Sequence, residues 1–121
     1  MVIIREKKPD DNLEEMSALH KVDTGLPVNL WIDNSSSYKR SGHWKRIKFQ
    51  GDYGNRMSYT NLVSMSISSN PEIFPSSKPV KLPAKDIERI KQFVINNEKI
   101  LSDLADEKIS WKDFFSKLIR G

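Results

Sequence analysis

From residue 26 the chain alternates between apolar and polar positions. Val28, Leu30 and Ile32 are separated by Asn29, Trp31 and Asp33, a period of two that predicts a strand over 26–33 with one buried face. On that pattern Trp31 points away from the core. Pro27 keeps the strand at an edge or marks its first residues. Residues 34–42 are polar and read as a loop. Alternation resumes at His43, with Ile47 and Phe49 on one face and Trp44, Arg46, Lys48 and Gln50 on the other. Residues 51–55, Gly-Asp-Tyr-Gly-Asn, have turn chemistry because glycine and asparagine accept positive φ at little cost. A third strand follows over 59–68, with Val63, Met65 and Ile67 inward and Ser64, Ser66 and Ser68 outward. Together these segments predict an antiparallel meander.

Helical spacing brackets the meander. Residues 2–4 predict a short edge strand, after which Asp10 or Asp11 can cap a helix running to about Lys21. Leu13, Met16 and Leu19 form its narrow apolar stripe, His20 falls at its C-terminal end, and Thr24-Gly25 closes it. Glu14 and Glu15 sit in the first turn, where the helix dipole favours negative charge. After the third strand, the proline-rich residues 71–83 lead away from the sheet, with Ile73-Phe74 or Val80 pairing briefly. Pro83 then opens the clearest helix, at a position where its missing N–H costs nothing. Ile87, Ile90, Val94, Leu101 and Leu104 share one face of it, widened by Phe93 and Ile100. Asn97 interrupts that face and predicts a bend or break at Asn96-Asn97. Ser110, with Asp113 three residues on, predicts a capped final helix to Gly121 that buries Trp111, Phe114, Phe115 and Leu118. The expected fold is α+β in one domain, residues 1–121. A small antiparallel sheet of three to four strands packs on a long C-terminal helix, with a short N-terminal and a short final helix.

Composition narrows the chemistry. In 121 residues there is no cysteine, which removes disulfides, thiolate nucleophiles and sulfur-ligated zinc, and points to the cytoplasm. No apolar run nears the roughly 20 residues a bilayer span needs, and residues 2–4 give way to charge too soon for a secretory leader. A membrane partner is therefore not expected. Only two histidines, His20 and His43, are present, too few for a zinc site without cysteine. Phosphate-cradling glycine loops and a GxSxG elbow are missing as well, so no metal and no cofactor are expected.

Charge changes the picture in one place. Between Tyr38 and Arg56, six cations face the single carboxylate Asp52, leaving a net +5 in a chain whose total is +4, so the rest sums to −1. The segment also holds Tyr38, Trp44, Phe49 and Tyr53. Cations interleaved with rings suit phosphates and bases, or an acidic protein surface. The candidate binding residues are Tyr38, Lys39, Arg40, His43, Trp44, Lys45, Arg46, Lys48, Tyr53 and Arg56. In this reading Tyr38, Trp44 and Tyr53 supply stacking or hot-spot contacts, and Lys39, Arg40, Lys45, Arg46, Lys48 and Arg56 supply charge. Replacing Arg46 and Lys48 by glutamate is expected to spare the fold, whereas losing Trp111 is expected to harm it. The acidic residues 103–107, DLADE, are expected on the opposite face, making any binding one-sided.

The order of His43-Trp44-Lys45, Tyr53-Gly54 and Leu82-Pro83, opening a helix with Ile90, Phe93 and Leu101, resembles a small bacterial family of unknown function. Its members are often encoded beside a presumed antitoxin, and the resemblance covers residues 26–104. Members carry two histidines separated by one residue, and Lys45 stands in place of the second. The resemblance implies a toxin–antitoxin or mobile-element setting, with any histidine chemistry lost or passed to cations. A second class shares these traits: phage-encoded inhibitors that block host defence nucleases without an active site. The expected function is thus a small non-enzymatic binding module for a protein or nucleoprotein partner, RNA and single-stranded DNA included. The alternative is a metal-independent toxin that binds or cleaves RNA, using His20, His43 and nearby cations.

Overall fold

Strands that follow one another in sequence also pair in space. In order they are β1 (Met16–Leu19), β2 (Leu30–Asp33), β3 (Arg46–Gln50) and β4 (Leu62–Ser66), all antiparallel. The computed structural model describes residues 16–34, 44–53, 61–74 and 80–121. Leu19, Leu30, Phe49 and Val63 stand opposite one another across the sheet, and Ile32, Ile47 and Met65 form the next row on the same face. Both rows are buried in one apolar cluster. The helices α2 (Ala84–Asn96), α3 (Glu98–Ala105) and α4 (Trp111–Lys117) close that cluster with Ile90, Phe93, Val94, Leu101, Leu104, Ala105 and Phe114. Each of these side chains larger than alanine contributes roughly 1.5–3 kcal/mol on leaving water. The architecture is α+β, a four-stranded antiparallel sheet with helices on its apolar face.

The helix boundaries follow local chemistry. Ser110 Oγ accepts the Asp113 N–H at 3.1 Å and starts α4, as its sequence predicts. Trp111 stacks on Phe115 with centroids 5.9 Å apart and meets Phe114 edge-on at 5.8 Å. This helix stops at Lys117 and not at Gly121, because the last residues find other partners. Ile119 exchanges both backbone hydrogen bonds with the Asn97 side chain, each 2.8 Å long, and the Gly121 N–H reaches Thr24 O at 2.8 Å.

Three expectations need correction. The long C-terminal helix is two helices, and the break falls at Asn97, whose side-chain amide also donates to Phe93 O at 2.9 Å. The expected helix through Met16 and Leu19 is instead β1, paired with β2 along its length. A spacing of three over a short segment fits either state, and strand pairing with β2 decides it. Helix begins only after His20, as the single turn α1 (Lys21–Thr24), which Gly25 ends at φ 80°. Residues 2–4 and 10–15 lie outside the described residues. Finally, Trp31 is not a surface ring. It is 0% exposed, although it points to the face opposite the apolar cluster, in register with Ala18 and Lys48. Elsewhere the sheet matches its pattern: Val63, Met65 and Ile67 are buried, and Ile73 bridges to Met65.

Candidate functional site

Trp44 is the ring that the fold presents. It precedes β3 and is 62% exposed, yet the chain holds it in place. Its Nε1–H donates to Ile67 O at 3.4 Å, and the Lys45 ammonium stands 5.0 Å from its ring centroid. The backbone beneath is still zipped to the sheet, since the Ile67 N–H bonds Lys45 O at 3.1 Å. The indole is therefore both exposed and restrained in orientation.

Lys45 itself is not part of the exposed surface. It is 8% exposed and runs to the helix layer, where Nζ donates to Ser102 Oγ at 2.6 Å and to Asp106 Oδ2 at 2.5 Å. Lys108 Nζ lies 3.9 Å from the same carboxylate. The acidic end of α3 therefore adjoins the start of β3 and is not on the opposite face as expected. That end is pinned by a helix-terminating turn, in which the Lys108 N–H reaches Asp103 O at 2.8 Å and the Glu107 N–H reaches Leu104 O at 3.0 Å. Glu107 occupies the left-handed position at φ 59°, where glycine is usual. One sequence signal marks Lys45: by alternation it shares a face with Ile47 and Phe49, and a cation on an apolar face needs a buried partner.

The next two cations are also engaged within the chain. The Arg46 guanidinium lies over Phe74, 4.4 Å from the ring centroid, and Lys48 Nζ is 3.6 Å from Asp33 Oδ1. Asp33 is 0% exposed, on the same face as Trp31. Tyr53, three residues beyond β3, is 56% exposed and donates its O–H to the Asp86 carboxylate. Asp86 is buried in the first turn of α2, with Arg89 Nη1 3.9 Å away. That hydrogen bond, then burial and the charge of Asp86, raise the Tyr53 pKa above the ordinary phenol value; Arg89 opposes the shift.

The structure thus places Trp44 and Tyr53 at opposite ends of β3 and does not gather them. His20 is half-buried at the start of α1, not at a helix C-terminus, and its carbonyl accepts the Asp23 N–H at 2.9 Å. It follows β1 at the end of the sheet marked by Leu30 and Phe49, while Trp44 enters β3 at the other end. Tyr38, Lys39, Arg40, His43 and Arg56 lie outside the described residues. Among the described residues no group of three or more His, Asp or Glu can hold a metal ion, and no helix is long and apolar enough to cross a membrane. Sequence reasoning missed Asp33, Phe74, Asp86, Ser102 and Asp106 as partners of the site. No family model, curated protein or solved structure matches the chain.

Proposed function

We propose that the protein is a small non-enzymatic binding module that grips a protein or nucleoprotein partner through Trp44. The observation that carries this reading is a tryptophan 62% exposed and yet held by a backbone carbonyl and a lysine. An indole fixed in advance loses little entropy on docking, and tryptophan is among the residues that dominate interface energies. Because one side of the ring already meets Lys45, the contact left for a partner is apolar or aromatic. The engagement of Lys45, Arg46 and Lys48 with Asp106, Phe74 and Asp33 supports a protein pocket over a phosphate backbone. RNA cleavage by His20 and His43 has less support, since His20 stands at the far end of the sheet from Trp44. The setting we propose is that of a toxin–antitoxin component, as the motif resemblance implies, or of a phage-type inhibitor of a nucleic-acid-handling defence complex.

The test is partner capture from bacterial lysate with the wild type and Trp44→Ala, beside a salt titration against labelled single-stranded RNA and DNA. Capture that is lost in Trp44→Ala, with flat and weak nucleic-acid binding, supports the reading. Affinity that falls steeply with salt and survives Trp44→Ala overturns it in favour of a nucleic-acid binder.

A further inference from the structure

Lys45 joins two layers of the molecule at the point where the exposed ring begins. We propose that Asp106 is a positioning residue for Trp44 and acts through Lys45. This rests on the reading of Trp44 as the contact group. A lysine ordinarily leaves its ammonium in water and buries only its stem. Here the ammonium is drawn inward by the Asp106 carboxylate at 2.5 Å and Ser102 Oγ at 2.6 Å, and this places it 5.0 Å from the Trp44 ring centroid. A second contact, Nε1–H to Ile67 O at 3.4 Å, is long for an N–H···O bond and therefore weak. A cation at that distance from the ring bears on the ring's orientation.

Asp106 is well placed to set that position. Its N–H bonds Ser102 O at 3.0 Å, and the turn through Glu107 and Lys108 closes immediately after it. Ser102 and Asp106, four apart, face the same way along the helix end. The apolar residues Leu101, Leu104 and Ala105 fix this segment to the core. The surface ring is therefore referenced to the helix layer and not only to its own strand. A partner that seats Trp44 also depends on the end of α3, and weakening the clasp lowers capture without removing any contact group.

The test reads Trp44 directly and needs no partner. The nitrogen-labelled full chain contains three tryptophans, so its indole N–H signals can be assigned by replacing Trp31, Trp44 and Trp111 with phenylalanine in turn. Asp106→Asn is expected to shift the Trp44 indole signal and to speed its hydrogen exchange roughly tenfold or more, with the Trp31 signal in place. Lys45→Arg, which keeps the cation, is expected to stay near the wild-type exchange rate. Should Asp106→Asn fail to fold, the milder Ser102→Ala decides, with a smaller shift of the same signal expected. A Trp44 signal that does not move in the folded variants overturns the proposal. Capture by Trp44→Ala separates the two ideas: a displaced indole signal with capture intact in Trp44→Ala keeps the clasp and removes the docking role.

Discussion

On one face of the sheet Leu30, Ile32, Ile47, Phe49, Val63 and Met65 pack in the cluster that the helices complete. On the other, Ala18, Trp31, Lys48 and Ser64 lie in a row, with Asp33 and Arg46 on the same side. Trp31 and Asp33 are as fully buried as anything in the apolar cluster. The first face excludes water with hydrocarbon, except at its margin, where Lys45 is buried against Ser102 and Asp106. The second buries a carboxylate beside a half-exposed lysine and a ring beside both, so its cohesion depends on charge pairing as well as area. Alternation along a strand tells which residues share a face. It does not tell whether that face is wet.

The most severe way to break this comparison is to remove one ring from each face. Phe49→Ala and Trp31→Ala are each expected to cost about 3–5 kcal/mol, measured by denaturant midpoint. A loss below about 1 kcal/mol for Trp31→Ala alone would mean that its face is not packed as described. Next comes charge. Lys48→Glu sets a second carboxylate against buried Asp33 and is expected to cost about 2–3 kcal/mol, where the sequence pattern implies almost none. A melting temperature unchanged in Lys48→Glu would return that lysine to the solvent-facing role. A control belongs outside both faces: Glu107→Gly relieves a left-handed residue at φ 59° and should stabilise by up to about 1 kcal/mol in the same denaturant assay. A destabilised Glu107→Gly variant would show that the carboxylate contributes more than its backbone costs.

The smallest effect is expected at Tyr53 and appears only in alkali. Its pKa is raised in the fold, so the stability it lends is complete below the ordinary phenol pKa of about 10 and is lost as pH climbs through the higher folded value. Tyr53→Phe should therefore flatten the alkaline end of the stability curve. In an absorbance titration, a late phenol ionisation in the wild type should vanish in Tyr53→Phe. A late end of the curve that is unchanged in Tyr53→Phe would argue against the Asp86 hydrogen bond.

What sequence could reveal follows from the range of the forces involved. The β3 and β4 faces, the Ser110 cap and the break at Asn97 are each written within a few residues, and all are found. Met16–Leu19 misleads because a spacing of three over so few positions carries no period, and pairing with β2 overrides it. At the site, the exposure of Trp44 can be anticipated from its charged neighbours. The burial of Lys45 is marked by its position between apolar residues, but its partner Asp106 is 61 residues away. No local pattern connects such a pair. The same holds for Lys48 with Asp33, and for Tyr53 with Asp86.

Asn97 has a consequence beyond the helices it separates. Its side chain stands in for a peptide group, satisfying Phe93 on one side and both backbone atoms of Ile119 on the other. An apolar replacement such as Asn97→Leu would remove the side-chain bonds to Ile119, leave Phe93 O with the backbone N–H of residue 97, and give residues 84–105 a continuous helical stripe. Run straight, that stretch is roughly 33 Å long and carries Leu101 and Leu104 away from their own sheet. The same helix from a second molecule fits the vacated surface, and light scattering would register such an exchanged dimer. A single buried amide thus helps keep the chain folded on itself and out of its neighbours.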